Sequence, residues 1–129
     1  MMNRSEFISA LEELNLPKTE YVILSGGSLL MRGLREETAD MDLSASKKLA
    51  KDLELYNCPQ DEYGLYMPFK NVQMKDDMEN FHFDTIDGYQ CESLDDILRQ
   101  KREWNRPKDQ ADILAIEKYL SEKSGKYQY

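Results

Sequence analysis

Leu24-Ser25-Gly26-Gly27-Ser28, followed after eleven residues by Asp40-Met41-Asp42-Leu43, is the stretch that decides how this chain folds and what chemistry it can carry. Tyr21-Val22-Ile23-Leu24 is a short aromatic and aliphatic run bounded by small residues, and it reads as a buried strand. Gly26 and Gly27 let the backbone turn tightly and approach a ligand closely. Ser28 then leads into a short helix, Leu29 to Leu34, whose free N–H groups and dipole favour a phosphate. Met41 to Ala45 reads as the next strand. Asp40 and Asp42, two apart in extended chain, point to one face with Cα atoms about 7 Å apart. Two such carboxylates repel each other unless a cation lies between them, and Mg²⁺ takes carboxylate and phosphate oxygens together. A phosphate cradle beside a carboxylate pair is the minimum for metal-assisted nucleotidyl transfer.

Outward from this stretch, Ser5 to Leu14 carries Phe7, Ile8, Leu11 and Leu14 at helical spacing, and Asn15 and Pro17 end that helix. Ser46 caps a helix running from Lys47 to about Leu53. Tyr63 to Phe69, Val72 to Lys75 and Asn80 to Ile86 are expected as strands, with Asp87-Gly88 as a turn. Ser93 and Asp96 form a variant capping box for a helix from Leu94 to about Trp104. Pro107 suits the first position of a last helix to about Leu120, and the polar tail Ser121 to Tyr129 is expected to fray. This order of elements predicts a mixed α/β (α+β) fold, with a β-sheet flanked by helices and a C-terminal helical pair, in a single domain spanning 1–129.

A net charge of −8 argues against nonspecific nucleic-acid binding, which needs clustered Lys and Arg to displace counterions. It leaves room for a small anionic substrate bound in a locally positive pocket. No apolar run approaches the roughly 20 residues of a membrane span, and the N-terminus lacks a secretory apolar segment. Cys58 and Cys91 have no metal-ligand spacing, and the lone His82 cannot complete a zinc site, so a cytoplasmic protein with reduced thiols is expected.

The glycine turn, the spacer and Asp40-x-Asp42 together resemble the signature of the polymerase-beta-like nucleotidyltransferases. Gly33-Leu34-Arg35-Glu36-Glu37-Thr38-Ala39 before the acid pair is similar to small stand-alone members of that superfamily. So are Leu94-Asp95-Asp96-Ile97-Leu98, Lys101, Arg106-Pro107-Lys108-Asp109 and Asp112-Ile113, which extends the resemblance over roughly residues 20–120. It implies transfer of a nucleoside monophosphate from a nucleoside triphosphate to an acceptor hydroxyl, with Mg²⁺ or Mn²⁺ as cofactor. Gly26, Gly27 and Ser28 would hold phosphate, while Asp40 and Asp42 would hold the metal. A third carboxylate on a later strand is implied as well, and Asp84 is the candidate, with Asp76, Asp77 and Glu79 close by in sequence. The acceptor in such proteins is a small molecule, a protein or an RNA end, and a homodimer or partner protein could complete a pocket that so short a chain cannot build.

The basic residues admit two roles. Lys101 falls on the inward stripe of its helix; in one role it and Lys108 hold substrate phosphates, in the other Lys101 or Arg106 bridges to Asp109 or Asp112 and clips the two last helices, and the two roles are compatible. Arg32 and Arg35 follow the glycine turn and could reach a nucleotide or remain solvated. Trp104, Tyr63, Tyr66 and Tyr89 read as core or rim residues. The rival to an enzyme is a catalytically weak or inactive protein on this fold, acting as a toxin–antitoxin component or nucleotide-binding partner.

Overall fold

The computed structural model describes residues 1–125. The chain divides into two compact units, Met1–Ser93 and Leu94–Tyr129. In the first, α1 (Arg4–Leu14), β1 (Tyr21–Ile23), α2 (Ser25–Met31), β2 (Met41–Ala45), α3 (Lys47–Asp52), β3 (Val72–Lys75), β4 (Phe83–Ile86) and β5 (Tyr89–Glu92) form a mixed α/β fold, as the element order predicts. The sheet has five strands in the order β3-β2-β1-β5-β4. β1 runs antiparallel to β2 and parallel to β5, β2 is parallel to β3, and β4–β5 is a hairpin. Asp87 and Gly88 both take positive φ (51° and 85°), as a tight hairpin turn with the right twist requires.

Strand register fixes what each face of the sheet carries. Ile23 pairs with Leu43 and with Cys91, and Leu43 pairs with Met74, so these four share one face. All four are buried in a core with Phe7 and Leu11 of α1 and Leu30 and Met31 of α2. Alternation then sends Asp42, Gln73, Ser44 and Glu92 to the opposite face. That polar second face is where the candidate site lies.

Local signals account for the ends of the helices. Asn3 and Glu6 form a reciprocal capping box on α1, and Asn15 closes it in the left-handed conformation. Ser46 accepts the N–H of Leu49 at the start of α3. Phe7 is fully buried, worth roughly 1.5–3 kcal/mol, and its ring meets α2 at Gly27. A Cβ on Gly27 would lie 2.8 Å from both Phe7 Cζ and Ile23 Cγ2. Gly27→Ala is therefore expected to cost about 1–3 kcal/mol by overpacking, read as a lowered thermal midpoint.

Two strand expectations change. Residues 63–69 form no strand: Asp61 Oδ1 accepts the N–H groups of Tyr63 and Leu65, curling the chain, and only Tyr66 bridges to Met74. The expected strand over 80–86 begins at Phe83, after a 3-10 turn at Met78–Asn80.

The second unit consists of α4 (Leu94–Trp104), a 3-10 turn at Pro107–Asp109, and α5 (Gln110–Gly125). Pro107 opens that turn rather than α5 itself. The helix continues past Leu120 to Gly125, and residues 126–129 of the expected frayed tail lie outside the described residues. Trp104 is half exposed, with the Arg106 guanidinium 4.3 Å from its ring centroid, so it is not part of a core. No helix among the described residues is long and apolar enough to cross a membrane.

Candidate functional site

Asp42 sits in β2 with Met41 and Leu43 turned into the core on either side, which commits its own side chain to the second face. Asp40 lies in the bend just before the strand and is exposed. The Oδ1 atom of Asp42 is buried and has no hydrogen-bond partner. Burial pushes the Asp42 carboxyl above its ordinary range, and the neighbouring carboxylates Asp40 and Asp61 push it further. A buried acceptor left without a donor costs about 1–3 kcal/mol, and here two further negative charges stand beside it. A cation at Asp40 and Asp42 would relieve both problems. Among the described residues no group of three or more His, Cys, Asp or Glu side chains is gathered to hold a metal. Mg²⁺, however, commonly rests on one or two carboxylates and takes its other ligands from water and substrate phosphates. The pair fits that demand.

The glycine turn is built differently from the sequence expectation. Ser25 takes a positive φ of 44° and Gly26, Gly27 and Ser28 form the first turn of α2, a helix of seven residues. Ser28 is fully buried, and its hydroxyl donates to the carbonyl of Glu92 at 2.8 Å while accepting from Arg32. The Glu92 carboxylate accepts the N–H of Ser25 at 2.9 Å. Ser28 is therefore a link between α2 and β5 in this structure, and the anion at the head of α2 is the chain's own Glu92. Gly27 serves packing against Phe7. Gly26 has a different neighbour: a Cβ there would collide with the guanidinium of Arg35 and lie 3.3 Å from Thr38 Oγ1. Exposed Arg35 thus lies across the glycine turn, with an absent side chain making the room. Arg32 is partly buried and bonds Ser28, the Glu92 carbonyl and Asp84.

Asp84 does not join the acid pair. It pairs with Cys91, which places it on the core side of the sheet, opposite to Asp42. Its strand is the far edge, three inter-strand steps or about 14 Å from β2, and its carboxylate is bound to Arg32 at 2.8 Å. Of the neighbouring acids, Asp76 bonds Lys47 and Tyr56 and Asp77 accepts from Ser44 at 2.5 Å, and none completes a group of three acids around a metal position among the described residues.

The chain matches no protein-family model, no curated protein and no solved structure. Its chemistry is therefore read from the site alone.

Lys101 belongs to the second unit and is buried there, 3.2 Å from Asp109 and 3.3 Å from Asp112. Arg106 makes two further bonds to Asp109. This is the helix clip, with the Lys101 ammonium engaged by both carboxylates. Lys108 is exposed on the turn between the helices. Cys91 is no nucleophile, since burial holds its thiol up at about 11.

Three residues of this face were missed by the sequence reading. Gln73 stands beside Asp42 in register on β3. Asp61 accepts the Gln73 amide at 2.9 Å. Glu92 lies on the same face, two strands from Asp42 and about 10 Å away between Cα atoms. Asp61 alone had a local signal: an Asp ahead of Glu62-Tyr63-Gly64 is a turn former. The other two depend on strand register, which no motif carries.

Proposed function

We propose that this chain is a Mg²⁺-dependent nucleotidyltransferase that moves a nucleoside monophosphate from a nucleoside triphosphate to an acceptor hydroxyl. The observation carrying the proposal is the donor-less, buried Oδ1 of Asp42 beside the carboxylates of Asp40 and Asp61. Asp40 and Asp42 would hold the ion. When bound, Mg²⁺ supplies neutralisation of triphosphate charge and a more acidic acceptor hydroxyl. Arg35, laid over Gly26 and open to solvent, is the group suited to a phosphate oxygen. The acceptor is a hydroxyl on a small molecule, a protein or an RNA end, and a second copy or partner protein would complete its pocket. Work in the cytoplasm, where free thiols persist, belongs to the same proposal.

One observation favours the second reading, a nucleotide-binding or toxin–antitoxin partner without transfer activity. The head of α2 already carries the Glu92 carboxylate, and the Ser28 hydroxyl is spent inside the fold. Pyrophosphate release from a panel of nucleoside triphosphates and hydroxyl acceptors, with and without Mg²⁺, separates the two. Metal-dependent release supports the transferase. Nucleotide binding without release supports the second reading.

Gly26→Ala gives a finer check on Arg35. The added methyl collides with the end of the flexible Arg35 side chain and lies 3.3 Å from Thr38 Oγ1, which need give by only a few tenths of an ångström, so the thermal midpoint should hold within about 2 °C while Arg35 is displaced. Loss of a charge-assisted phosphate contact worth about 1.5–3 kcal/mol should weaken triphosphate affinity by roughly tenfold or more. Unchanged affinity in calorimetry would remove Arg35 from the site.

A further inference from the structure

The Oδ1 atom of Asp42 lacks a hydrogen-bond donor although an amide stands on the neighbouring strand. Gln73 is its in-register neighbour on β3 and shares its face. The Gln73 Nε2 atom instead donates to Asp61 Oδ2 at 2.9 Å. Asp61 is itself fixed: its Oδ1 accepts the N–H groups of Tyr63 and Leu65, each at 2.9 Å, and its own N–H bonds the Leu65 carbonyl at 2.8 Å. We propose that Asp61 is a positioning residue of the cation site, acting through Gln73. By holding the amide nitrogen, it withholds from Asp42 the neutral donor that would otherwise satisfy Oδ1, and so keeps that oxygen available to a divalent cation. The inference rests on the reading of Asp40 and Asp42 as the ion's carboxylates.

Asparagine at position 61 can still accept the Tyr63 and Leu65 N–H groups through its amide oxygen. Its other end no longer attracts an amide N–H, so Gln73 is free to turn toward Asp42. Mn²⁺ binding to the full chain, followed by electron paramagnetic resonance without nucleotide, is the readout. D61N should weaken Mn²⁺ about tenfold, the lower end of what outer-shell changes cost at metal sites. In a Gln73→Leu background, where no amide exists to turn, D61N should change affinity less than about twofold, a coupling that a double-mutant cycle isolates. Hydrogen exchange at the Tyr63 and Leu65 amides should stay slow in D61N. Unaltered Mn²⁺ affinity in D61N, an equal loss in both backgrounds, or loss of amide protection would each overturn the role assigned to Asp61. Wild-type protein that binds no Mn²⁺, or binding that survives Asp40→Asn with Asp42→Asn, would overturn the underlying site as well.

Discussion

Asp42→Asn should abolish the proposed nucleotidyl transfer and at the same time make the metal-free protein more stable. The two effects have one origin. Asp42 presents a buried carboxylate oxygen with no donor, beside Asp40 and Asp61. Its carboxyl is held above the ordinary value of 3.8, first by burial and then by those two charges. A raised folded-state value means that ionising Asp42 opposes folding. That cost is absent below the unfolded value near 3.8 and grows as pH rises through the folded one. At neutral pH the neutral amide should therefore gain roughly 1 kcal/mol, about 4 °C on a chain of this size. Below pH 3.8 the gain should vanish. Activity should fall by more than the roughly 10–100-fold that outer-shell substitutions cost at metal sites, because a proposed ligand of the ion is removed. Melting curves at pH 7 and at acid pH, with and without Mg²⁺, check the whole prediction. Wild type should be raised by Mg²⁺ and the variant should not. An Asn variant less stable than wild type at pH 7 would mean that the Asp42 charge is compensated within the fold and needs no cation.

The same residue marks how far the sequence could be read. Asp42 was legible because Met41 and Leu43 flank it in an alternating strand, and alternation is local. The capping residues Asn15 and Ser46 and the turn Asp87-Gly88 were legible for the same reason. Asp84 was misplaced because its role depended on which strand its own strand joins. Tyr89–Glu92 is only four residues long and went unread as a strand. Without β5, nothing indicates that β4 lies at the far edge or that Asp84 pairs with Cys91 on the core side. Ser28 shows the same limit in a different form. Small residues at a strand-to-helix turn describe a cradle for an anion, and an anion is there, but it is Glu92, 67 positions on from Ser25. Local chemistry predicted the charge and long-range pairing decided its source.

Lys101→Ala should be strongly destabilising. Lys101 is buried between α4 and the start of α5, with its ammonium 3.2 Å from Asp109 and 3.3 Å from Asp112. Both carboxylates are themselves buried. Truncation removes the cation that the two carboxylates share, and breaking a buried pair costs about 3–5 kcal/mol. Arg106 lessens the loss at Asp109, whose carboxyl is held down at about 2 by Arg106 first and then by Lys101. Because that value is depressed, the stability Asp109 contributes is complete above pH 3.8 and is lost as pH falls toward 2. In Lys101→Ala this acid-induced loss should be smaller and complete at a higher pH, nearer 3.8, since one of the two cations is gone. Adding Asp112→Asn to Lys101→Ala should restore part of the loss, because it removes one of the two carboxylates that shared the lost ammonium. Denaturant unfolding of the single and double variants measures both steps. A Lys101→Ala chain that unfolds at the wild-type midpoint but binds triphosphate weakly would reverse the assignment and return Lys101 to the substrate.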